Sequence, residues 1–243
     1  MTLRRFETHK APGNPKVLAV DHPAAVEARS LYSRHAGNAS DRVLVSGFNS
    51  SKIGKQCVKG KWKGMPIFTL TLEERRTCPR SCEQWLSCYG NKMHWSRRNQ
   101  PGAELEWKLD RELRDLQGRF PKGFIVRLHV LGDFYSVDYV ERWANWLNAY
   151  PALHVFGYTA RTEDDPIGRA LRNMIRTRWD RFAVRSSGKK LNARPTIPST
   201  VVVRSEDAAG NAIVCPAQTY RSDCCGTCAL CWQSKRQIAF LEH

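Results

Sequence analysis

Residues 124–159 decide the fold class, and they read FIVRLHVLGDFYSVDYVERWANWLNAYPALHVFGYT. The runs 124–130 and 153–158 are apolar and β-branched or aromatic, so each predicts a buried strand. Ser136 is a candidate N-cap with Asp138 in the first turn of the helix between them. The apolar face of that helix consists of Val140, Trp143, Ala144 and Leu147. The stretch is therefore predicted to be one strand–helix–strand unit of a parallel sheet.

The same alternation continues on both sides of this unit. Further strands are predicted at 66–72, 182–185, 201–204 and 238–241. Further helices are predicted at 23–34, at 104–116 and after an N-cap at Asp165 followed by Pro166. About six strands from residue 66 onward predict an α/β protein built as a partial (β/α)6 barrel, whose functional residues lie at the carboxyl ends of the strands. The predicted divisions are an N-terminal extension (1–64), the barrel (65–205) and a Cys-rich C-terminal segment (206–243).

Composition indicates the class of partner. The chain has 243 residues, 42% of them hydrophobic, and a formal net charge of +16. Such a basic protein is predicted to bind nucleic acid or a nucleotide, with a merely solvated basic surface as the alternative. The five lysines of residues 50–64 form a flexible Gly/Lys loop that suits phosphate contact or simple solvation. With no apolar run near roughly 18 residues and no apolar N-terminal segment, we expect no membrane contact and a cytoplasmic location.

The first cysteine group lies in residues 77–90, TCPRSCEQWLSCYG. Nine clustered cysteines, an odd number, argue against a disulfide framework and favour metal sites. Cys78, Cys82 and Cys88 supply three thiolates, which leave one position open on a catalytic metal or cluster. The alternative is three unrelated thiols.

The second cysteine group lies in residues 215–232, CPAQTYRSDCCGTCALCW. Its predicted metal ligands are Cys215, Cys225, Cys228 and Cys231, which suit an auxiliary [4Fe–4S] cluster or a zinc ion. His243 is a candidate to replace one thiolate, or else it is only a terminal residue. Cys224 is predicted to be a bystander, and Cys57 a small buried residue.

Polar residues follow successive predicted strands. Gly132 and Asp133, Arg161, and Arg185 come after three of them, which predicts one active site. The alternatives are a turn aspartate and surface salt bridges. His129 and His154 are predicted to be core residues. Lys189, Lys190 and Arg194 form a second basic stretch.

These features resemble the radical S-adenosylmethionine enzymes, in which three cysteines follow the first strand of a partial barrel. The resemblance implies that Cys78, Cys82 and Cys88 hold a [4Fe–4S] cluster whose fourth iron binds S-adenosylmethionine. It also implies that Gly132 and Asp133 receive the methionine amine. Five residues precede the third cysteine here, where the usual pattern has two.

The chain also resembles a family of phage-encoded proteins, the gene product 88 family, over about residues 65 to 243. The shared motifs are TCP…C…CY, the strand end formed by His129, Gly132, Asp133 and Phe134, and the C-terminal CP…CxxCxxC…H. This resemblance implies architecture more than reaction. Together with the net charge and the resemblance to radical S-adenosylmethionine enzymes, it leads us to expect a phage-encoded iron–sulfur protein of a host cell, which modifies a nucleic acid or nucleotide and takes electrons from a donor.

Two other functions remain open on the sequence alone. A zinc-dependent base-exchange transglycosylase would use Asp133 in its active site and Cys225, Cys228, Cys231 and His243 as zinc ligands. A non-enzymatic nucleic-acid-binding protein would use both cysteine groups as structural zinc sites.

Overall fold

The computed structural model describes residues 16–188, 190–191 and 196–242, which form a mixed α/β fold. Its strands are β1 (Leu44–Ser46), β2 (Ile67–Leu70), β3 (Phe124–Leu128), β4 (Leu153–Thr159), β5 (Phe182–Ser186), β6 (Thr200–Val203), β7 (Ile213–Val214) and β8 (Ile238–Leu241). Its α-helices are α1 (Pro23–Val26), α2 (Glu74–Thr77), α3 (Ala103–Arg119), α4 (Val137–Ala149), α5 (Pro166–Arg178), α6 (Cys225–Cys228) and α7 (Leu230–Gln233).

Five strands form a sheet in the order β1–β2–β3–β4–β5. β1 is antiparallel to β2, while β2 to β5 are parallel to their neighbours. Helices α3, α4 and α5 connect the parallel strands in turn. The predicted alternation of strands and helices is therefore confirmed for β2 to β5, which differ from the prediction only at their ends, whereas the edge strand β1 was not predicted.

A second parallel sheet contains the shorter strands in the order β6–β8–β7. A parallel bridge between Ser186 and Ser199 connects it to β5, and the Ser186 N–H donates to the Pro198 carbonyl at 3.0 Å. Strands β6 and β8 match the predicted strands at 201–204 and 238–241, whereas β7 was not predicted.

Helices cover one face of the five-stranded sheet. Helix α4 begins where the Ser136 Oγ accepts a hydrogen bond from the Tyr139 N–H at 3.0 Å. Helix α5 begins where Asp165 accepts one from the Ile167 N–H at 2.8 Å, with Pro166 in its first turn. Both predicted N-caps are confirmed. The apolar faces of these helices pack with α3 against alternate strand residues, among them Val126, Val155 and Val184.

Residues 50–66 and the Cys-rich segment cover the opposite, inner face. Ile125 and Phe156 project towards them from the strands. Trp62 stacks on Trp232 with ring centroids 5.4 Å apart and an interplanar angle of 9°. The Gly/Lys segment has no helix, as predicted, but Trp62 is 1% exposed, so this segment belongs to the core.

The predicted helix at 23–34 is too long. It ends after one turn at Val26, and Ala28 takes a positive φ of 54°. This reversal brings Ser30 back to the first cysteine region, where its Oγ donates to Glu74 Oε1 at 3.1 Å. A long-range contact therefore replaces the local helix. Over the described residues, no helix is both long and apolar enough to cross a membrane.

Candidate functional site

The first thiol group (Cys78, Cys82 and Cys88) follows β2 and the single turn of α2. The Cys78 N–H closes that turn on the Glu74 carbonyl at 2.8 Å. The Cys82 N–H bonds the Pro79 carbonyl at 3.0 Å, and Cys88 caps the 3-10 turn that follows. Parallel strands place their carboxyl ends at one edge, so this group lies at the edge where functional residues were expected.

The three thiols interact with one another. Burial raises the pKa of Cys78, and the nearby charges of Asp133, Cys82 and Cys88 raise it further. Burial likewise raises the pKa of Cys82, and it raises the pKa of Cys88 to about 11. These thiols are protonated at neutral pH unless a cation replaces the protons.

A buried charged network holds the loop that carries this group. The Arg98 Nε donates to Glu74 Oε2 at 2.8 Å, and both side chains are almost completely buried. Arg98 Nη2 also donates to the Gly90 carbonyl at 3.1 Å, beside Cys88. Arg75 Nη2 donates to Asn91 Oδ1 at 2.6 Å. This network was not predicted, because the same residue types form buried ion pairs and exposed, unpaired charges.

Asp133 joins the ends of β3 and β4. Its Oδ1 accepts the Phe134 N–H and its Oδ2 the Ala160 N–H, each at 2.7 Å, and its own N–H donates to Thr77 Oγ1 at 3.2 Å. Asp133 is 2% exposed. Burial raises its pKa to about 6, against the hydrogen bond from Ala160. The carboxylate positions two strand ends beside Cys78.

Gly132 permits this close approach. Its φ is +88°, and a Cβ atom there would lie 2.6 Å from Leu72 Cβ and 2.6 Å from Thr77 Oγ1.

Arg161 connects the same loops through its guanidinium. Its Nη2 donates to the Thr77 carbonyl at 2.8 Å, its Nε to the Phe134 carbonyl at 2.9 Å, and its Nη1 to Asp165 at 3.0 Å. The predicted site residues Gly132, Asp133 and Arg161 thus meet at the residue that precedes Cys78.

Arg185 lies apart from them, under the second cysteine group. It is fully buried, and its guanidinium donates only to backbone carbonyls. These include Cys231 at 2.8 Å and Arg236 at 2.9 Å, together with Ser199, Leu230 and Ser234. This arrangement fastens the C-terminal segment to β5 and leaves no donor for a substrate, which argues against the catalytic role that we expected from the sequence.

The second thiol group (Cys215, Cys225, Cys228 and Cys231) packs on the inner face of the sheet. Burial raises the pKa of Cys215 to about 11, with a further contribution from Cys231. Burial also raises the pKa of Cys225, and Cys231 and Cys215 add to it. The Tyr158 hydroxyl donates to the Cys231 Sγ at 2.9 Å. Three of the four predicted ligands therefore interact closely.

Cys228 lies within electrostatic reach of other thiols. Burial raises its pKa, and both Cys231 and Cys224 contribute. Cys224 caps α6 through its side chain, and Cys57 is completely buried with its Sγ 3.1 Å from the Lys59 carbonyl. Cys57 is therefore a small buried residue, as predicted, whereas Cys224, which we predicted to be a bystander, caps a helix.

Arg127 is a site residue that the sequence analysis missed. It lies on β3, is 9% exposed, and has its guanidinium 4.5 Å from the centre of the Tyr158 ring. Desolvation of the hydroxyl raises the pKa of Tyr89, next to Cys88, although 44% of that residue's surface is exposed, and burial raises the pKa of Cys225. The charge of Arg127 opposes both shifts. In the described part of the chain, no carboxylate forms an ion pair with it. The sequence feature that could have identified it is an arginine within an otherwise apolar strand segment.

The predicted core histidines show different degrees of burial. His129 is 4% exposed, and burial lowers its pKa to about 3, so that it is neutral. His154 is half-buried, and its Nδ1 lies 3.0 Å from the Ala152 carbonyl. Three other predicted candidates, Lys189, Arg194 and His243, lie outside the described residues.

The chemistry of the donors suits a sulfur-bound metal group. Within residues 16–188, 190–191 and 196–242, no three His, Cys, Asp or Glu side chains form a group that could hold a metal ion. A [4Fe–4S] cluster binds each thiolate through a separate iron, so its ligands need not converge on one point. Such a cluster requires soft thiolate donors, and its iron would replace the protons that these thiols carry at neutral pH.

The resemblance to radical S-adenosylmethionine enzymes and to the phage family stays a prediction. Comparisons with protein-family models, with curated proteins and with solved structures found no match to this chain.

Proposed function

We propose that this chain is an iron–sulfur enzyme of the radical S-adenosylmethionine type, with nucleic acid or a nucleotide as its substrate. One observation supports it above all others. At the carboxyl ends of parallel strands, Cys78 lies close enough to Cys82, Cys88 and Asp133 for their charges to act on its thiol. Chemistry in β/α barrels occurs at that edge.

The order of the strands supports a partial barrel. Strands β2 to β5 are parallel and follow one another in chain order, with helices on one face. The bridge from Ser186 to Ser199 extends this arrangement towards β6. A sheet built by such sequential crossovers can curve around an inner face, which is where Arg127 and the Cys-rich segment lie.

Cys78, Cys82 and Cys88 would hold the catalytic cluster, and Cys215, Cys225, Cys228 and Cys231 a second centre. The first cluster would supply an electron, received from a donor protein, and an open iron for S-adenosylmethionine. The chain's own residues hold the site in place. Asp133 and Arg161 fix the loops beside Cys78.

The surroundings of Asp133 favour this function over base exchange. A nucleophilic carboxylate needs an oxygen that can reach its substrate. Asp133 is 2% exposed, and each of its oxygens already accepts a backbone N–H at 2.7 Å. This is the environment of a positioning residue, and it argues equally against the contact with the methionine amine that the resemblance implies for Asp133.

Iron content after anaerobic reconstitution tests the proposal. The wild-type protein should contain about eight iron atoms if both centres are [4Fe–4S] clusters, and about four if the second centre binds zinc. Cys82→Ala should lose about four iron atoms, since one cluster ligand is removed. Cys224→Ser is the matched control, because Cys224 caps α6 and should leave the iron content unchanged.

Equal iron content in Cys82→Ala, Cys224→Ser and the wild type would contradict the cluster assignment. Formation of 5′-deoxyadenosine from S-adenosylmethionine, with a chemical reductant as electron source, tests the radical step separately. A reconstituted protein with full iron content and no such cleavage would remain an iron–sulfur protein, but not one of the radical type.

A further inference from the structure

Trp95 is the most exposed large apolar side chain among the described residues, with 84% of its surface accessible. Its ring meets that of His35 edge to face, with centroids 6.1 Å apart. Such an edge contact, together with this exposure, leaves an indole face open to solvent. An exposed indole face of this kind is available for stacking with another flat ring.

The turn that carries Trp95 is rigidly held. The Ser96 N–H donates to the Met93 carbonyl at 3.3 Å, and the buried Arg98 donates to the same carbonyl at 3.2 Å. The Arg98 N–H also bonds the His35 carbonyl at 2.9 Å, which joins this turn to residues 33–37. The buried ion pair of Arg98 and Glu74 fixes both segments. Trp95 is therefore presented on a fixed surface.

Only positive charges lie on these two segments. Residues 32–40 and 85–103 contain Arg34, Lys92, Arg97, Arg98 and two histidines, but no Asp or Glu. Arg34, Lys92, His94 and Arg97 are exposed. Over the residues that the structure describes, no carboxylate pairs with Arg34 or Arg97.

We propose that the surface formed by Arg34, His35, Lys92, Trp95 and Arg97, called the Trp95 surface, binds single-stranded nucleic acid. An unpaired base stacks on the indole, and the flanking phosphates contact the arginines. Aromatic faces within a basic surface are how proteins bind single strands, because every base has a π face. Bases in a duplex are already stacked on one another and cannot use the ring in this way.

The position of the surface connects it with the first thiol group. The 3-10 turn Tyr89–Lys92 runs from Cys88 directly to the Trp95 turn. Arg98 contacts the Gly90 carbonyl at one end of that path and the Met93 carbonyl at the other. The inference rests on the proposed function, since it names a single strand as the substrate and this surface as its docking site.

Fluorescence anisotropy of the full-length protein with labelled oligothymidine and oligouridine of about 12 nucleotides tests the surface. Trp95→Ala should weaken binding roughly 5- to 150-fold, because it removes the stacking of one base. Trp95→Phe should retain most of the affinity. The difference in affinity between oligothymidine and oligouridine then shows whether the surface prefers DNA or RNA.

Trp107 provides the matched control. It is 61% exposed on α3, but the Arg111 guanidinium lies 5.0 Å from its ring centre, and acidic residues surround it on that helix. Trp107→Ala should leave the affinity unchanged.

The charges are tested by salt dependence. Arg34→Gln with Arg97→Gln should flatten the log–log slope for a single strand by about 1.4, since each lost phosphate contact removes about 0.7. Arg114→Gln with Arg119→Gln removes the same net charge from α3, where each arginine pairs with an aspartate, and should change the slope less.

Equal affinity of Trp95→Ala and Trp107→Ala would overturn the inference, as would tighter binding of a duplex than of either single strand. Iron content separates this outcome from failure of the proposed function. Normal iron with unchanged binding by Trp95→Ala overturns the surface alone. Absence of iron from the wild type, with binding lost in Trp95→Ala, overturns the cluster and leaves the surface in place.

Discussion

Arg127 carries a positive charge into a largely apolar strand, between the two thiol groups. Its Nη1 donates to the His129 carbonyl at 2.9 Å, and its guanidinium lies over the rings of Tyr158 and Phe156. A buried cation without a carboxylate partner requires negative charge elsewhere. The thiolates that hold a cluster would supply that charge on both sides of Arg127.

Replacement of Arg127 is expected to affect both centres. Reduction adds an electron to a cluster, and a nearby cation stabilises the reduced form. Arg127→Gln should therefore lower the reduction potentials of both centres, measured by redox titration of the reconstituted protein. Arg127→Lys keeps the charge and should restore most of the difference. If Arg127→Gln shifts neither potential, Arg127 acts only through packing.

Single residues were predictable where their role was local. Ser136 and Asp165 serve as helix caps at the predicted positions, because capping depends on neighbouring backbone amides. The ion pair between Glu74 and Arg98 was not predicted, since the two residues are 24 positions apart in the sequence. Arg185 illustrates the same limit, because five distant carbonyls decide its role.

The edge strand β1 depends on hydrogen bonds to a side chain of helix α3. Glu112, on α3, accepts the N–H of Val43 at 2.6 Å and that of Leu44 at 3.1 Å. β1 itself pairs with β2 over three residues. Because so short a strand pairs over only three residues, the two hydrogen bonds to Glu112 contribute much of its stability.

Glu112→Ala should destabilise the protein by about 1–3 kcal/mol, because it leaves two backbone N–H groups without their acceptor. Urea denaturation measures the change. Glu141→Ala, at an exposed position of α4, is the control and should change stability by less than about 0.5 kcal/mol. Equal midpoints for the two variants would show that the Glu112 hydrogen bonds do not stabilise β1.

Elements were predictable in proportion to their length. The helices α3, α4 and α5 and the strands β2 to β5 have enough residues for a periodic pattern to appear. The two-residue strand β7 and the four-residue helices α6 and α7 do not. Packing and distant hydrogen bonds define these short elements. The Cys-rich segment is built largely from them, so the spacing of its cysteines was visible in the sequence but its shape was not.

Distant parts of the chain form one layer on the inner face of the sheet. The Cys225 N–H donates to the Lys52 carbonyl at 2.9 Å, the Gly226 N–H to the Ile53 carbonyl at 2.9 Å, and the Val58 N–H to the Gly226 carbonyl at 3.0 Å. The boundary predicted at residue 64 therefore falls within a segment that packs with the C-terminal cysteines. The basic residues of this segment are held near the second thiol group.

Two glycines of this segment test that packing. Gly54 and Gly64 share a φ of +86°, but only the environment of Gly54 is crowded. A Cβ atom there would lie 2.5 Å from the Cys224 Sγ, whereas nothing lies within 4 Å at Gly64. Gly64→Ala should cost about 1–2 kcal/mol from its backbone conformation alone, as measured by urea denaturation.

Gly54→Ala should lower the free energy of unfolding clearly more than Gly64→Ala, because the added methyl group also pushes residues 50–64 away from Cys224. Adding Cys224→Ala should recover part of the excess, since it removes the sulfur that the methyl group meets. The coupling between the two sites, obtained from the double-mutant cycle, measures that contact directly. Equal losses in the two glycine variants, with no coupling to Cys224, would mean that the two segments do not pack together in solution. The second thiol group would then lack one wall, and the shared inner layer with it.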